Sequence, residues 1–141
     1  ETGLQIVKRN PTVLIDAAHN FSGVQNTLEA ISETFKFDNK ILIIGFMKDK
    51  DIDEMLNLLK GFAQDVVVTE ANTVRAISSK DLLNKVNSIA NFSNEIFEQK
   101  NSKNALDLAV EIAKGKSGSS GVIVLGSIAL AGEILQHSKS I

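Results

Sequence analysis

Short β-branched runs alternating with longer amphipathic stretches constrain this chain more than any other feature. The runs lie at 4–7, 13–15, 41–44, 66–68, 96–97 and 122–125. Most are rich in Val and Ile and flanked by turn formers, which reads as strand. Several are apolar at every position, so neither face of those strands can meet water, as in a parallel sheet covered on both sides. Between them apolar residues recur with helical period: Val24, Leu28, Ile31 and Phe35; Ile52, Met55, Leu56, Leu59 and Phe62; Leu82, Leu83, Val86 and Ile89; Leu106, Ala109 and Ile112. A last helix is expected over 128–135. Ser78, with Asp81 three residues on, resembles a capping box, and Asp51 is placed to cap its helix. The expected class is therefore α/β. One three-layer, Rossmann-like domain spans 1–141, with a mostly parallel sheet of about six strands, helices on both faces and right-handed crossovers. The segment 114–121 (KGKSGSSG) is expected to be a flexible surface loop.

The chain's 141 residues suit one domain, and a chain of that size buries roughly 70% of its unfolded surface. Net charge is −2 with both signs dispersed, so no basic stripe invites nucleic acid or an anionic membrane. The aromatics are seven Phe without Trp or Tyr, a poor set for stacking bases. Cysteine is absent, which removes disulfides and thiolate chemistry and fits a reducing compartment. With only two His and no Cys, a structural zinc site is not expected. No charged-then-apolar leader opens the sequence, and no apolar run approaches about 18 residues. A cytoplasmic monomer is expected. Glu1-Thr2-Gly3 reads as an appended remnant or a cut through a longer chain.

The chemistry-bearing residues stand just past strand ends: Asp16, Gly45, Thr69, and Gly126 with Ser127. In open α/β sheets the ligand crevice lies outside the carboxyl ends of the strands, so these ends point to one shared mouth. Asp16 and His19 have two readings. Both project into the mouth, Asp16 as acceptor for a nucleotide or amine and His19 as donor; or Asp16 caps a turn and His19 bonds a backbone carbonyl. Gly126-Ser127 opens the last helix, whose free N–H groups suit a carboxylate or phosphate. Equally, Ser127 is a plain N-cap. Lys48-Asp49-Lys50-Asp51 could grip phosphates or order the mouth, or simply be a solvated, capped helix start, and Arg75 could meet an anion, stay exposed or join a structural pair. Gly115-Lys116-Ser117 is not a phosphate-binding loop, because Val110 stands where that pattern needs Gly and the segment precedes a strand.

Asp16-Ala17-Ala18-His19-Asn20 resembles the Asp-Gly/Ala-Ala-His-Asn signature of folylpolyglutamate synthases, the bifunctional dihydrofolate synthases of the Mur ligase superfamily. Other motifs fall in the same order. Pro11 to Asn20 is similar to the family's Asn-Pro-Thr-Val-Leu-Leu-Asp-Ala-Ala-His-Asn. The 45–51 stretch GFMKDKD resembles Gly-x-x-x-Asp-Lys-Asp. Thr69 with Arg75-Ala76 resembles Thr…Arg-Ala, and 126–133 (GSIALAGE) resembles Gly-Ser-Leu-Tyr-Leu-x-Gly-Glu. Three departures accompany the match. Phe21 replaces a usual Pro, Gly3-Leu4-Gln5 stands where the family has Arg-x-Glu, and Ile128-Ala129 replaces Leu-Tyr.

The resemblance implies the C-terminal, glutamate-ligase domain of such an enzyme. The N-terminal domain that carries the phosphate-binding loop, magnesium site and folate site would be absent from this chain. It implies an ATP-dependent ligase joining L-glutamate to a folate through an acyl phosphate, inactive as this domain alone and partnered by its own N-terminal domain. By resemblance His19, Gly126 and Ser127 hold glutamate, with His19 catalytic. Asp16 and Asn20 contact ATP, Lys48, Asp49, Lys50 and Arg75 edge the cleft, and no metal is bound by this domain. Two alternatives stand beside this one: a stand-alone, non-catalytic module binding a nucleotide or small anion, and the equivalent domain of a cell-wall Mur ligase.

Overall fold

In the computed structural model, residues 3–141 are described. Eleven elements follow one another: β1 (Gln5–Lys8), β2 (Thr12–Ile15), α1 (Phe21–Thr34), β3 (Asn39–Ile44), α2 (Ile52–Leu59), β4 (Asp65–Val68), α3 (Ser79–Asn87), β5 (Glu95–Glu98), α4 (Ser102–Lys114), β6 (Ser120–Leu125) and α5 (Ile128–Ser138). Each apolar run seen in the sequence lies wholly or largely within one strand. The six strands form one sheet in the order β1-β2-β6-β3-β4-β5. All neighbours pair parallel except β1, an antiparallel edge strand on β2. Glu1 and Thr2, read above as a remnant or cut, lie outside the described residues.

The continuous apolar runs are explained by what covers them. Successive residues of a strand point to opposite faces. Leu42 and Ile44 of β3 join Leu14, Val66, Val68, Ile123 and Leu125 in one core with Val24 and Ile31 of α1, Leu56 of α2 and Leu82 of α3. Ile41 and Ile43 join Val13, Ile15, Val67, Val122 and Val124 in a second core with Leu106 and Ala109 of α4 and Leu130 and Ile134 of α5. Helices α1, α2 and α3 thus cover one face and α4 and α5 the other.

Helix ends are set by caps. Ser78 accepts a hydrogen bond from Asp81 N–H at the start of α3, as the sequence suggested. Asp51 occupies the cap position of α2 without making a side-chain cap bond: its backbone (φ −78°, ψ 70°) is not extended. Asp53 and Glu54 supply the negative charge that the first turn favours. Phe35, in helical register in the sequence, lies one residue past α1 in extended backbone and stacks on Phe37 with ring centroids 5.0 Å apart.

The 114–121 segment is at the surface but tied down. Asp38 Oδ2 accepts from Ser119 N–H (2.9 Å), Ser119 Oγ accepts from Asp38 N–H (3.0 Å), and Asn39 donates to the Ser117 carbonyl (2.7 Å). Gly121 lies flat under the Phe37 ring, where any Cβ would overlap the ring atoms. At the same lower edge Lys116 Nζ stands 3.0 Å from Asp65 Oδ2, within ion-pair reach though not aligned as a hydrogen bond.

Candidate functional site

Five parallel strands end on one edge, and the loops leaving them bring the sequence-predicted residues together. The connection after β3 runs to α2 on one face, and β6, its neighbour, leads to α5 on the other. Such a switch point opens a crevice between diverging loops. Gly45 and Gly126 lie there. Gly126 has φ +127°, and a Cβ at this position would overlap the Gly45 carbonyl oxygen. Only glycine permits that approach.

The turn after β2 is built from its own polar groups. Asp16 N–H continues the ladder onto the Val124 carbonyl (3.2 Å), and Gly126 N–H donates to the Ala18 carbonyl (3.2 Å). The Asp16-to-Asn20 turn and the Gly126-Ser127 turn are therefore one unit. Asp16 is buried at 5% exposure; Oδ1 accepts from Ala18 N–H (2.8 Å) and Oδ2 from the Thr27 hydroxyl (3.0 Å). His19 is half-buried, with Nδ1 3.0 Å from the Ala17 carbonyl. That contact needs the proton on Nδ1, so a neutral ring keeps its lone pair on Nε2, which has no hydrogen-bond partner among the described residues. The carbonyl bond and turn cap that the sequence left open are thus present, and in the neutral ring the free nitrogen accepts rather than donates.

Two helices begin at this turn. Asn20 caps α1, accepting from Gly23 N–H (2.9 Å). Ser127 caps α5, accepting from Leu130 N–H (2.9 Å), and is 1% exposed. The exposed Ile128 and Ala129 that follow have no intrahelical acceptor for their N–H groups, so this spot carries partial positive charge.

Lys48, Asp49, Lys50 and Arg75 form a second group on the β3 and β4 side. Lys48 N–H donates to the Arg75 carbonyl (2.8 Å), and Met47 bridges Ala76, so the two loops are stitched together. Lys48, Asp49 and Arg75 are exposed and Lys50 half-buried, and none of the three cations makes an ion pair among the described residues. Thr69 is fully buried and donates to the Lys100 carbonyl (3.2 Å), holding the ends of β4 and β5 together. Among the described residues, no three His, Cys, Asp or Glu side chains gather as a metal site.

With this mouth placed, relatives can be compared. The profile of the family described as Mur ligase, glutamate ligase domain, matches residues 4–128. The chain belongs to that family. It is 27% identical over 145 aligned positions to a dihydrofolate synthase/folylpolyglutamate synthase of Mycobacterium tuberculosis, covering 92% of this chain and 28% of the relative. The protein of the same name from Bacillus subtilis is 25% identical, over 96% of this chain and 30% of the relative. A solved M. tuberculosis folylpolyglutamate synthase complexed with ADP and AMPPCP superposes with a TM-score of 0.87 and 26% identity, covering 96% of this chain and 31% of that one. This chain therefore spans less than a third of the length of these relatives.

The Mur ligase match stops at the first residue of α5, and beyond it stand two polar residues to which sequence reasoning gave no role, although Glu133 closes the 126–133 motif. Glu133 and His137, four apart on α5, meet Ser102 and Asn72 beside an open depression of about 560 Å³ that Glu70 and Lys100 also line. The spacing of a carboxylate and an imidazole on one face of an apolar helix was the available signal. Thr27, which completes the Asp16 environment, gave no signal, since nothing in sequence links it to a residue eleven positions earlier.

Proposed function

We propose that this chain is the glutamate-binding part of a folylpolyglutamate synthase that also serves as a dihydrofolate synthase. The remainder of a longer polypeptide would hold ATP, magnesium and the folate. Membership of the glutamate ligase family over 4–128 carries this reading. The names of the two relatives favour folate over a cell-wall precursor. The rim also supports a surface that meets another: Val74, in the loop after β4, is 90% exposed and Ile128, at the start of α5, is 64% exposed.

In the proposed reaction ATP phosphorylates a folate carboxylate. The glutamate amine attacks the acyl carbon, a C–N bond forms, the C–O bond to phosphate breaks, and the amine loses a proton. The protein must bring anionic reactants together and keep water from the acyl phosphate. His19 Nε2 accepts from the incoming amine and is the catalytic residue. Gly126 and Ser127 shape the α5 N-terminus, whose N–H groups receive a glutamate carboxylate. Asp16 holds the turn from which Asn20 reaches the nucleotide, and Lys48, Lys50 and Arg75 offset the negative charge in the cleft beside Asp49. By itself the chain is expected to be inactive, since half a cleft provides few of the contacts needed to immobilise a small ligand. The cytoplasm, where ATP and folates meet, is the compartment of this reading.

The test is glutamate-dependent ADP release by the complete native polypeptide, with His19→Ala expected to lower kcat/KM at least about a hundredfold at unchanged Tm. Absence of glutamate-dependent release from the unaltered polypeptide would refute the ligase, and unchanged turnover in His19→Ala would remove His19 from the site. A native polypeptide of only 15.2 kDa would favour the stand-alone binding module instead.

A further inference from the structure

Helix α5 carries Ser127 at its start and, further along, a carboxylate that reaches away from the mouth to another loop. Glu133 accepts from Asn72 N–H through Oε2 (2.7 Å) and from the Ser102 hydroxyl through Oε1 (2.7 Å). His137, one turn on, places Nε2 3.3 Å from the same hydroxyl. Asn72 lies at the start of the loop that displays Val74 and Arg75. The far end of that loop is gripped by the loop after β3, through Lys48 N–H to the Arg75 carbonyl (2.8 Å) and Ile77 N–H to the Phe46 carbonyl (3.0 Å). The near end is tied to α5 by one carboxylate, whose charge makes both bonds stronger than neutral ones.

We propose that Glu133 is a positioning residue that sets the distance between the α5 N-terminus and the Arg75 loop across the mouth. The tie needs no assumption about activity; its consequence for glutamate binding rests on the ligase reading above. Without Glu133 the exposed Asn72 amide loses its acceptor and the near end of the loop is no longer fixed against α5, so Arg75, still held by the loop after β3, loses its set distance from Ser127.

Amide exchange and steady-state kinetics on the complete native polypeptide test this. Glu133→Ala removes both bonds. Glu133→Gln keeps them, because its carbonyl oxygen accepts from Asn72 and its NH₂ donates to the Ser102 oxygen. Exchange at the Asn72 amide should rise at least about tenfold in Glu133→Ala and stay near the unaltered rate in Glu133→Gln. The glutamate KM should rise about tenfold in Glu133→Ala, with kcat within about twofold, and return in Glu133→Gln. Ser102→Ala, which removes one of the two bonds, should move exchange the same way by about threefold, and it decides the matter if Glu133→Ala does not fold. Unchanged exchange at Asn72 overturns the tie. Faster exchange with an unchanged KM, or a loss confined to kcat, overturns the positioning role. Absence of glutamate-dependent turnover in the unaltered polypeptide refutes the ligase reading, and the exchange result then decides the tie alone.

Discussion

At the scale of single residues, the mouth depends on positions where one atom more or less decides the outcome. Gly126 combines φ +127° with no room for a Cβ against the Gly45 carbonyl. Gly126→Ala should therefore lower stability by about 3 kcal/mol or more in urea unfolding. Gly132, inside α5 with nothing near a would-be Cβ, is the counterexample. Gly132→Ala should raise stability by about 0.5–1 kcal/mol, since a helical alanine loses less backbone entropy. Equal effects at the two sites would contradict the close approach of the β3 and β6 ends. Asp16 poses a different problem, a buried carboxylate with both oxygens engaged. Asp16→Ala leaves the Ala18 amide without its acceptor, while the Thr27 hydroxyl keeps the Gly23 carbonyl (2.9 Å), and should cost about 1–3 kcal/mol. A variant as stable as the parent would mean that Asp16 faces the cleft and not the turn.

At the scale of elements, caps that look alike in sequence differ in three dimensions. Ser127 and Asp51 both precede helices, but only Ser127 makes its cap bond. Ser127→Ala should cost about 1 kcal/mol, and Asp51→Ala should stay within about 0.5 kcal/mol. Thermal melts of the pair separate the two cases, and a large loss at Asp51 would show a cap bond formed in solution. Because Ser127 is buried and already bonded, its influence on a ligand runs through the helix end it fixes. The two helix starts, α1 and α5, are brought together by the Gly126-to-Ala18 bond, so weakening either cap should be felt at both.

At the scale of the whole molecule, one sheet is shared by two cores, so neither face can unfold alone without exposing the other. Equilibrium unfolding should be a single transition, with far-UV ellipticity and amide signals from α2 and α4 changing together. Two separable midpoints would disprove that coupling. Ile43, fully buried on the α4 and α5 side of the central β3 strand, is expected to cost about 2–5 kcal/mol when cut to Ala.

The amino-acid sequence alone determined the class and most of the elements. Burial on both faces forces runs such as 41–44 and 122–125 to be apolar throughout, and amphipathic helices must repeat with the turn of the helix. It also placed Asp16, Gly45, Thr69 and Gly126 at strand ends, because polar or small residues directly after buried strands are a local pattern. The strand order was not visible there. That β6 inserts between β2 and β3 depends on side-chain fit between segments far apart in sequence, and this insertion sets Gly126 against Gly45 and Ala18. Nor could local pattern show which way a polar side chain turns. Asp16 faces inward because Thr27 and the Ala18 amide await it, and Glu133 reaches Asn72 and Ser102 because α4, α5 and the loop after β4 converge. Hydrogen bonds between distant residues exist only once packing has brought their partners within about 3 Å, so tertiary structure alone decided them.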